Sequence, residues 1–205
     1  MRPVTQRGPG VLISAEFVTS AAGNDDFPKE RLPEVALVGR SNVGKSSLLN
    51  ALMRQSLART SAAPGKTRLA NFYRVKRGAA AALFLVDLPG YGYARGGDAS
   101  AQEFNRLAES YFSRPGHRGV ILLVDSRHPG LESDMDAWRW LESQPWPRAV
   151  IGTKVDKLTR AERARHAREF ETLFDSPVPL VSAHTGEGLD ELWKMIASLP
   201  KATAA

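Results

Sequence analysis

The sequence contains no cysteine in its 205 residues. A disulfide scaffold and a metal site built from thiolates are therefore both excluded. Because disulfides belong to oxidising compartments, a chain without cysteine is typical of the reducing cytoplasm, and we expect a cytoplasmic protein.

Long hydrophobic runs are also missing. No run approaches the roughly 18 apolar residues that a membrane-spanning helix needs. The first residues, MRPVTQRGPGVLISAEF, hold no long apolar segment before a small-residue cleavage site. We therefore expect neither secretion nor insertion into a membrane.

The charge balance is moderately positive, with 28 Lys and Arg against 22 Asp and Glu and a net charge of +6. A positive balance favours association with a polyanion, although many basic proteins bind no nucleic acid, so charge alone leaves this open. Hydrophobic residues make up 42% of the chain, which is enough for one substantial core. We expect a single compact domain that is monomeric.

Short apolar runs alternate with helical stretches along most of the chain. The runs of strand length are residues 35–38, 72–75, 83–87, 120–124, 149–152 and 179–181. The helical stretches are residues 45–55, 100–112, 131–142, 160–174 and 188–199. This order predicts an α/β fold, with a mostly parallel six-stranded sheet and helices on both faces.

One connection breaks the alternation. Residues 76–82 are too few for a crossover helix, so the runs on either side should form an antiparallel hairpin. Residues 1–32 are predicted to be a leading strand or arm, which would add a strand to the sheet, followed by a connector. Residues 33–200 are the expected main domain, and residues 201–205 are a predicted disordered tail.

A glycine-rich loop follows the run at residues 35–38. Its residues fit the pattern GxxxxGK[ST] between a strand and a helix, and they are Gly39, Arg40, Ser41, Asn42, Val43, Gly44, Lys45 and Ser46. The two glycines permit backbone angles that turn N–H groups onto phosphate oxygens, and the following helix presents its positive end. Lys45 would reach the β- and γ-phosphates and the Ser46 hydroxyl would bind Mg²⁺. The alternative is a glycine-rich turn without a ligand.

A second phosphate signal follows the run at residues 83–87. Its residues are Asp87, Leu88, Pro89 and Gly90. An Asp at the end of a strand beside a P-loop is placed to hold Mg²⁺ through a water, and the Gly90 N–H can contact a γ-phosphate. Alone the sequence is an ordinary turn, but with the P-loop it predicts a phosphate sensor.

A polar stretch upstream of the hairpin predicts a loop that closes over the nucleotide. Its candidate binding residues are Gly65, Lys66, Thr67, Arg68 and Leu69. The Thr67 hydroxyl would bind Mg²⁺ and its N–H the γ-phosphate, so the loop would order with GTP and loosen after hydrolysis.

Two further turns predict a guanine site. The first consists of Thr153, Lys154, Val155 and Asp156, and the second of Val181, Ser182 and Ala183. The Asp156 carboxylate can accept from both guanine N1–H and the exocyclic amine, a donor pair that adenine lacks. The Lys154 stem would pack over the base, and a backbone N–H of the second turn would meet guanine O6. Taken singly, either turn could be purely structural.

With these residues laid out, the sequence resembles the bacterial ribosome-biogenesis GTPases of the EngB type, also called YihA or YsxC, within the translation-factor-related class. The matching strings are GRSNVGKSSLLNAL at residues 39–52, PGKTRLANFY at 64–73, DLPGYGYA at 87–94, TKVD at 153–156 and SAHTGEG at 182–188. The resemblance covers about residues 12–199. It implies a three-layer P-loop GTPase fold, GTP hydrolysis with Mg²⁺, a role in assembling the large ribosomal subunit with its rRNA, and a link to cell division and septation. The family usually has Ala where this chain has Val155, and we expect that side chain to face solvent.

The predicted catalytic set is Lys45, Thr67, Gly90 and Asn42, and it lacks one familiar group. Ras-like enzymes place a water-orienting Gln after the sensor glycine, where this chain has Tyr91. A phenol cannot replace that amide, so unaided hydrolysis should be slow. By resemblance, Asn42 could hold K⁺. A ribosomal group supplied in trans, or an Asn42 that only caps the turn, are the open alternatives.

Basic residues suggest two RNA-binding faces. Arg160, Arg163, Arg165, His166 and Arg168 share one predicted helix with interspersed glutamates, which favours a solvated face. Lys66, Arg68, Arg74 and Arg95 flank the nucleotide loops, and Tyr91 and Tyr93 could stack on a base or pack against the sheet edge. Two other functions remain open, namely a nucleotide-dependent binding module with little hydrolysis and a small-molecule phosphotransferase.

Overall fold

The computed structural model describes residues 11–58, 69–91, 106–116 and 118–201. Its strands are β1 Ile13–Ala21, β2 Glu34–Gly39, β3 Ala70–Arg77, β4 Leu83–Asp87, β5 Arg118–Asp125 and β6 Arg148–Thr153. Its helices are α1 Lys45–Met53, α2 with a described part at residues 106–112, α3 Glu132–Glu142, α4 Arg160–Phe174 and α5 Leu189–Ser198. Short 3₁₀ turns occupy Asn24–Asp26, Val155–Lys157 and Leu199–Lys201.

The strands form one sheet in the order β1-β3-β4-β2-β5-β6. Strand β2 pairs in parallel with both β4 and β5, and β5 pairs in parallel with β6. Strand β3 pairs antiparallel with β1 and with β4, so it alone runs against the others. The predicted α/β fold, with a mostly parallel six-stranded sheet and one antiparallel strand, is confirmed, and the N-terminal strand is one of the six.

One predicted strand is wrong. Residues 179–181 form only an isolated bridge, between Leu180 and Gly152. Pro177 and Pro179 explain this, because a proline has no N–H to donate to a ladder. The sixth strand is β1 instead, which pairs with β3 over its whole length except for an irregularity between Phe17 and Thr19.

Helices cover both faces of the sheet. One hydrophobic cluster lies between the sheet and helices α2, α3 and α4, with Tyr111, Trp138 and Phe170 among its buried members. The other lies beneath α1 and α5 and includes Leu49 and Ile196. All eight residues of β5 are buried, as expected for a central strand covered on both faces.

A cluster of charged side chains lies at the amino ends of β2 and β5. Glu34 and Arg118 are register partners, and the Arg114 guanidinium donates to both Glu34 carboxylate oxygens at 2.8 Å. Arg118 Nε lies 3.6 Å from Glu34, and its guanidinium also stacks 4.6 Å from the Tyr111 ring centroid. The Glu34 carboxylate is therefore paired with two guanidinium groups at the amino edge of the sheet.

The opposite edge carries the polar loops. Strands β2, β4, β5 and β6 all end there, because they are parallel, and the loops that leave them lie side by side. Open α/β sheets bind ligands at this edge. Among the residues that the structure describes, no helix is long and apolar enough to cross a membrane.

Candidate functional site

The P-loop at residues 39–46 joins β2 to α1 through two residues in left-handed conformations. Gly44, directly before α1, has φ 109°, and Asn42 has φ 63°. At Gly39 an added Cβ would lie 2.8 Å from the Leu123 carbonyl oxygen, so only glycine fits beside β5. These angles turn the backbone sharply at the start of α1, which places the helix amino terminus at the open edge of the sheet.

Lys45 and Asp87 lie together beneath this loop, and both side chains are buried. Lys45 Nζ donates to the Gly39 carbonyl at 3.1 Å. Burial lowers the pKa of Lys45, while the nearby Asp87 charge opposes that shift. Burial also raises the pKa of Asp87 to about 6, against the effects of Lys45 and of a hydrogen bond from Ser46.

The Asp87 carboxylate has a feature that suits a cation. Its Oδ1 atom is buried and has no hydrogen-bond partner in the part of the chain that the structure describes. Carboxylate and hydroxyl oxygens are the ligands that Mg²⁺ prefers, usually together with waters and phosphate oxygens. Asp87 and the neighbouring Ser46 therefore fit a Mg²⁺ site that phosphate would complete. No group of three or more His, Cys, Asp or Glu in the described ranges could hold a metal by itself.

The segment after β4 packs directly against the P-loop. The Ser41 N–H donates to the Tyr91 carbonyl at 3.3 Å, and Arg40 and Tyr91 form an isolated parallel bridge. An added Cβ at Gly90 would lie 2.8 Å from Ser41 N. Leu88 is buried in the core, so the sensor segment is fixed from below by packing and from the side by the P-loop.

The turn after β6, which was predicted to read the base, is bonded to the P-loop. The Thr153 hydroxyl donates to the Val43 carbonyl at 2.7 Å, and Lys154 Nζ donates to the Asn42 carbonyl at 2.6 Å. Lys154 itself has φ 62°, an uncommon backbone angle for a residue with a side chain. The two turns are thus brought together at one edge of the sheet.

The second predicted turn positions Asp156. The Ser182 hydroxyl donates to Asp156 Oδ1 at 2.7 Å and accepts from the His184 and Thr185 backbone N–H groups, each at 3.1 Å. This hydrogen bond from Ser182 is the main cause that lowers the pKa of Asp156. Asp156 is therefore held as a carboxylate acceptor by Ser182, which directly follows the buried Val181.

Several predictions have a different outcome or lie outside the structure. We expected Val155 to face solvent, and this is wrong. Its side chain packs in the interior at 1% exposure, and its N–H donates to the Val181 carbonyl. Pro89 is also buried. The predicted residues Gly65, Lys66, Thr67, Arg68, Tyr93 and Arg95 lie outside the described residues, whereas Leu69 is described and exposed just before β3.

The proposed RNA residues are placed differently from one another. On α4, Arg160, Arg165 and Arg168 are exposed, whereas His166 is buried, with Nδ1 2.8 Å from the Ser126 carbonyl. Arg74 lies within ion-pair distance of two glutamates, Glu16 and Glu30.

Sequence reasoning missed three residues of the site, namely Asp125, Arg127 and Asp134. Asp125 ends β5 and accepts from Lys154 Nζ at 2.9 Å and from the forked guanidinium of Arg127 at 2.9 and 2.8 Å. These hydrogen bonds lower the pKa of Asp125 against the raising effect of burial. Asp134, in the first turn of α3, accepts from the Tyr91 hydroxyl. An Asp that ends a strand, as Asp87 does, was the one available signal for Asp125.

Known proteins are similar to this chain in sequence. Residues 34–154 match the family described as "50S ribosome-binding GTPase". The chain is 47% identical over 192 residues to the probable GTP-binding protein EngB of Pelotomaculum thermopropionicum. The aligned region covers 90% of this chain and 94% of that protein.

Solved structures are similar as well. One is a probable GTP-binding protein engB, with a TM-score of 0.61 and 19% identity, covering 82% of this chain and 98% of that one. Another is Era in complex with MgGDPNP and nucleotides 1506–1542 of 16S ribosomal RNA, with a TM-score of 0.72 and 23% identity, covering 83% of this chain and 57% of that one. At these identities the two structures show the shared fold alone.

Proposed function

This chain belongs to the EngB family of GTP-binding proteins and is a GTPase, and we propose that it is a slow molecular switch that assists assembly of the large ribosomal subunit. We further propose that it acts as a cytoplasmic monomer and is needed for normal cell division and septation. The family description, which names binding to the 50S subunit, supports the ribosomal part of the proposal.

One observation carries the proposed nucleotide site. Lys154 of the base-reading turn donates to the Asn42 carbonyl in the P-loop at 2.6 Å, so the two halves of the site are in direct contact. A purine nucleotide could lie with its phosphates on residues 39–46 and its base at Asp156. In this pose the backbone N–H groups of the P-loop would hold the phosphates, Lys45 would exchange its bond to the Gly39 carbonyl for phosphate oxygens, and Asp156 would accept from guanine.

Hydrolysis would need Mg²⁺ and a backbone donor at the γ-phosphate, and a group that assists the attacking water. Ser46, Thr67 and Asp87, the last through a water, would hold Mg²⁺, which supplies positive charge at the β- and γ-phosphate oxygens. Gly90 would donate its backbone N–H to the γ-phosphate. Tyr91 cannot orient the attacking water, because its hydroxyl donates to Asp134, so K⁺ held by Asn42 or a group from the ribosome would have to supply the missing function.

The base-reading role of Asp156 is tested by exchange of its acceptor. Asp156→Asn should lose about 100-fold or more of its GDP affinity and gain affinity for xanthosine diphosphate, because the amide can donate to the xanthine oxygen that replaces the guanine amine. Titration with fluorescent GDP, XDP and ADP measures this. Lys157→Gln is the control, because it changes a charge next to Asp156 without removing the acceptor. Retained GDP preference in Asp156→Asn would contradict the proposed role.

The ribosomal role predicts binding that depends on nucleotide and salt. The GTP-analogue form should sediment with large ribosomal subunits more than the GDP form, and the bound fraction should fall steeply as KCl rises if phosphate contacts dominate. Single-turnover hydrolysis should accelerate with the subunits or with KCl in place of NaCl.

A second function is favoured by the placement of Tyr91. Because its hydroxyl is already bonded to Asp134, the protein could act as a nucleotide-dependent binding module with very little hydrolysis. Multiple turnover with ribosomal subunits supports the switch, whereas stoichiometric hydrolysis alone supports the module. The small-molecule phosphotransferase has no specific observation in its favour.

A further inference from the structure

Tyr91 has two attachments that connect separate parts of the molecule. Its carbonyl accepts from the Ser41 N–H of the P-loop at 3.3 Å, which is long for a backbone hydrogen bond. Its hydroxyl donates to Asp134 Oδ1 at 2.8 Å. The side-chain bond is the shorter of the two attachments, and its acceptor is a carboxyl group whose pKa is raised by burial and lowered by this bond and by Arg40.

Asp134 is built to accept this bond. It lies in the first turn of α3 and is only 2% exposed. The positive end of the α3 dipole favours a carboxylate there. The Arg40 Nε atom lies 4.0 Å from the same oxygen and adds a second positive group on that side. Burial and the Asp134 charge raise the pKa of Tyr91, so its hydroxyl keeps its proton and remains a donor.

Gly90 stands directly before this attachment and lies so close to the P-loop that no side chain fits between them. The Cβ that it lacks would lie 2.8 Å from Ser41 N and 2.9 Å from Ser41 Oγ. Because Gly90 and Tyr91 are consecutive, a change in the position of Tyr91 is transmitted directly to Gly90 and to its contact with the P-loop. The attachment at Asp134 thus acts on the backbone N–H proposed to contact the γ-phosphate.

We propose that the Tyr91–Asp134 hydrogen bond is a latch that holds Gly90 against the P-loop, so that Tyr91 and Asp134 are positioning residues for GTP. The inference rests on the proposed role of Gly90 as the γ-phosphate contact. GDP has no γ-phosphate, so the latch adds affinity for GTP and leaves GDP affinity unchanged. It also explains the presence of Tyr at this position, because the side chain reaches α3 and does not face the attacking water.

The latch is tested with four variants and two nucleotides. Tyr91→Phe removes one oxygen atom, Asp134→Ala removes the acceptor, and the third variant combines them. Asp134→Asn keeps an acceptor without charge and should restore part of the lost preference. Fluorescent GDP and a non-hydrolysable GTP analogue are titrated for each, and thermal unfolding is recorded.

Tyr91→Phe and Asp134→Ala should each lower the preference for GTP over GDP by about 5- to 10-fold, with GDP affinity within about twofold of wild type. The double variant should lose no more than either single variant, because both remove the same bond. Asp136→Ala is the matched control, since this Asp is exposed on the same helix and should leave the preference unchanged.

The latch would be overturned if Tyr91→Phe left the preference for GTP over GDP unchanged or raised it. It would also be overturned if the losses of this preference in the two single variants multiplied in the double variant. Tyr91→Phe is decisive even if Asp134→Ala lowers stability, because it leaves a half-buried ring in place. Failure of the nucleotide site itself would be recognised separately, because Lys45→Ala would then bind GDP and GTP as well as wild type does.

Discussion

The charged cluster at the amino edge of the sheet predicts a large cost for one small substitution, Glu34→Gln. Glu34 accepts two hydrogen bonds from Arg114 and lies 3.6 Å from Arg118 Nε. The side chain of Arg118 is 2% exposed, and that of Glu34 is 13% exposed. Glutamine has nearly the same shape, so the substitution removes one negative charge and leaves two guanidinium groups facing a neutral amide.

The expected loss follows from burial. Removal of one partner from a buried ion pair costs about 3 to 5 kcal/mol, because the remaining charge stays in a poorly solvated place. Glutamine retains one acceptor, and Arg118 keeps its bonds to the Phe112 and Arg114 carbonyls, so we expect about 3 kcal/mol. Glu16→Gln provides the contrast, because Glu16 and Arg74 are 64% and 41% exposed and such surface pairs contribute less than about 1 kcal/mol.

Urea unfolding of both variants measures the difference. The midpoint should fall strongly in Glu34→Gln and hardly at all in Glu16→Gln, with the same slope for both. Affinity for GDP should not change in Glu34→Gln, because Glu34 begins β2 and the P-loop follows its other end. If both variants lose equal stability, the reasoning from burial is refuted.

Two further predictions concern the phosphate edge. Burial raises the pKa of Asp87 in the folded protein to about 6, from an ordinary value of 3.8. Protonation of Asp87 therefore stabilises the folded state. This stabilisation is full below pH 3.8 and is lost as the pH rises through 6. Without Mg²⁺ and nucleotide, Asp87→Asn should therefore gain about 2 to 3 kcal/mol relative to wild type between pH 4 and pH 7 in urea unfolding, and a constant difference would contradict this. Asp125→Asn weakens the anchor of Lys154 on the P-loop, so fluorescent GDP should dissociate about 10-fold faster in stopped flow. Asp136→Asn should dissociate GDP at the wild-type rate, and equal rates for both variants would exclude the anchoring role of Asp125.

Local signals explain which elements were predictable. Helix α4 spans the residues that we expected, and its start is explained by the capping box of Thr159 and Glu162, whose residue types are visible in the sequence. The hairpin of β3 and β4 followed from the short connection between them. The P-loop was recognisable because its glycines are required by backbone geometry.

The features that were missed depend on contacts between distant residues. Tyr91 and Asp134 are 43 positions apart, and nothing near either residue indicates the other. Val155 was misplaced because a turn of four residues has no periodicity from which to infer a buried side. Leu180 lies in an apolar run of strand length, but the two prolines before it leave too few donors for a ladder.

The pairing of β1 with β3 has a consequence for biosynthesis. Strand β1 emerges first from the translating ribosome, yet its described partner β3 is made only after β2 and α1. Strand β1 must therefore wait unpaired until residues 70–77 have been made, and its docking closes a stretch of chain that includes β2 and α1. We expect β1, which lies at the edge of the sheet and is mostly unburied, to be the first strand to detach under mild denaturant, while the buried parallel strands remain assembled.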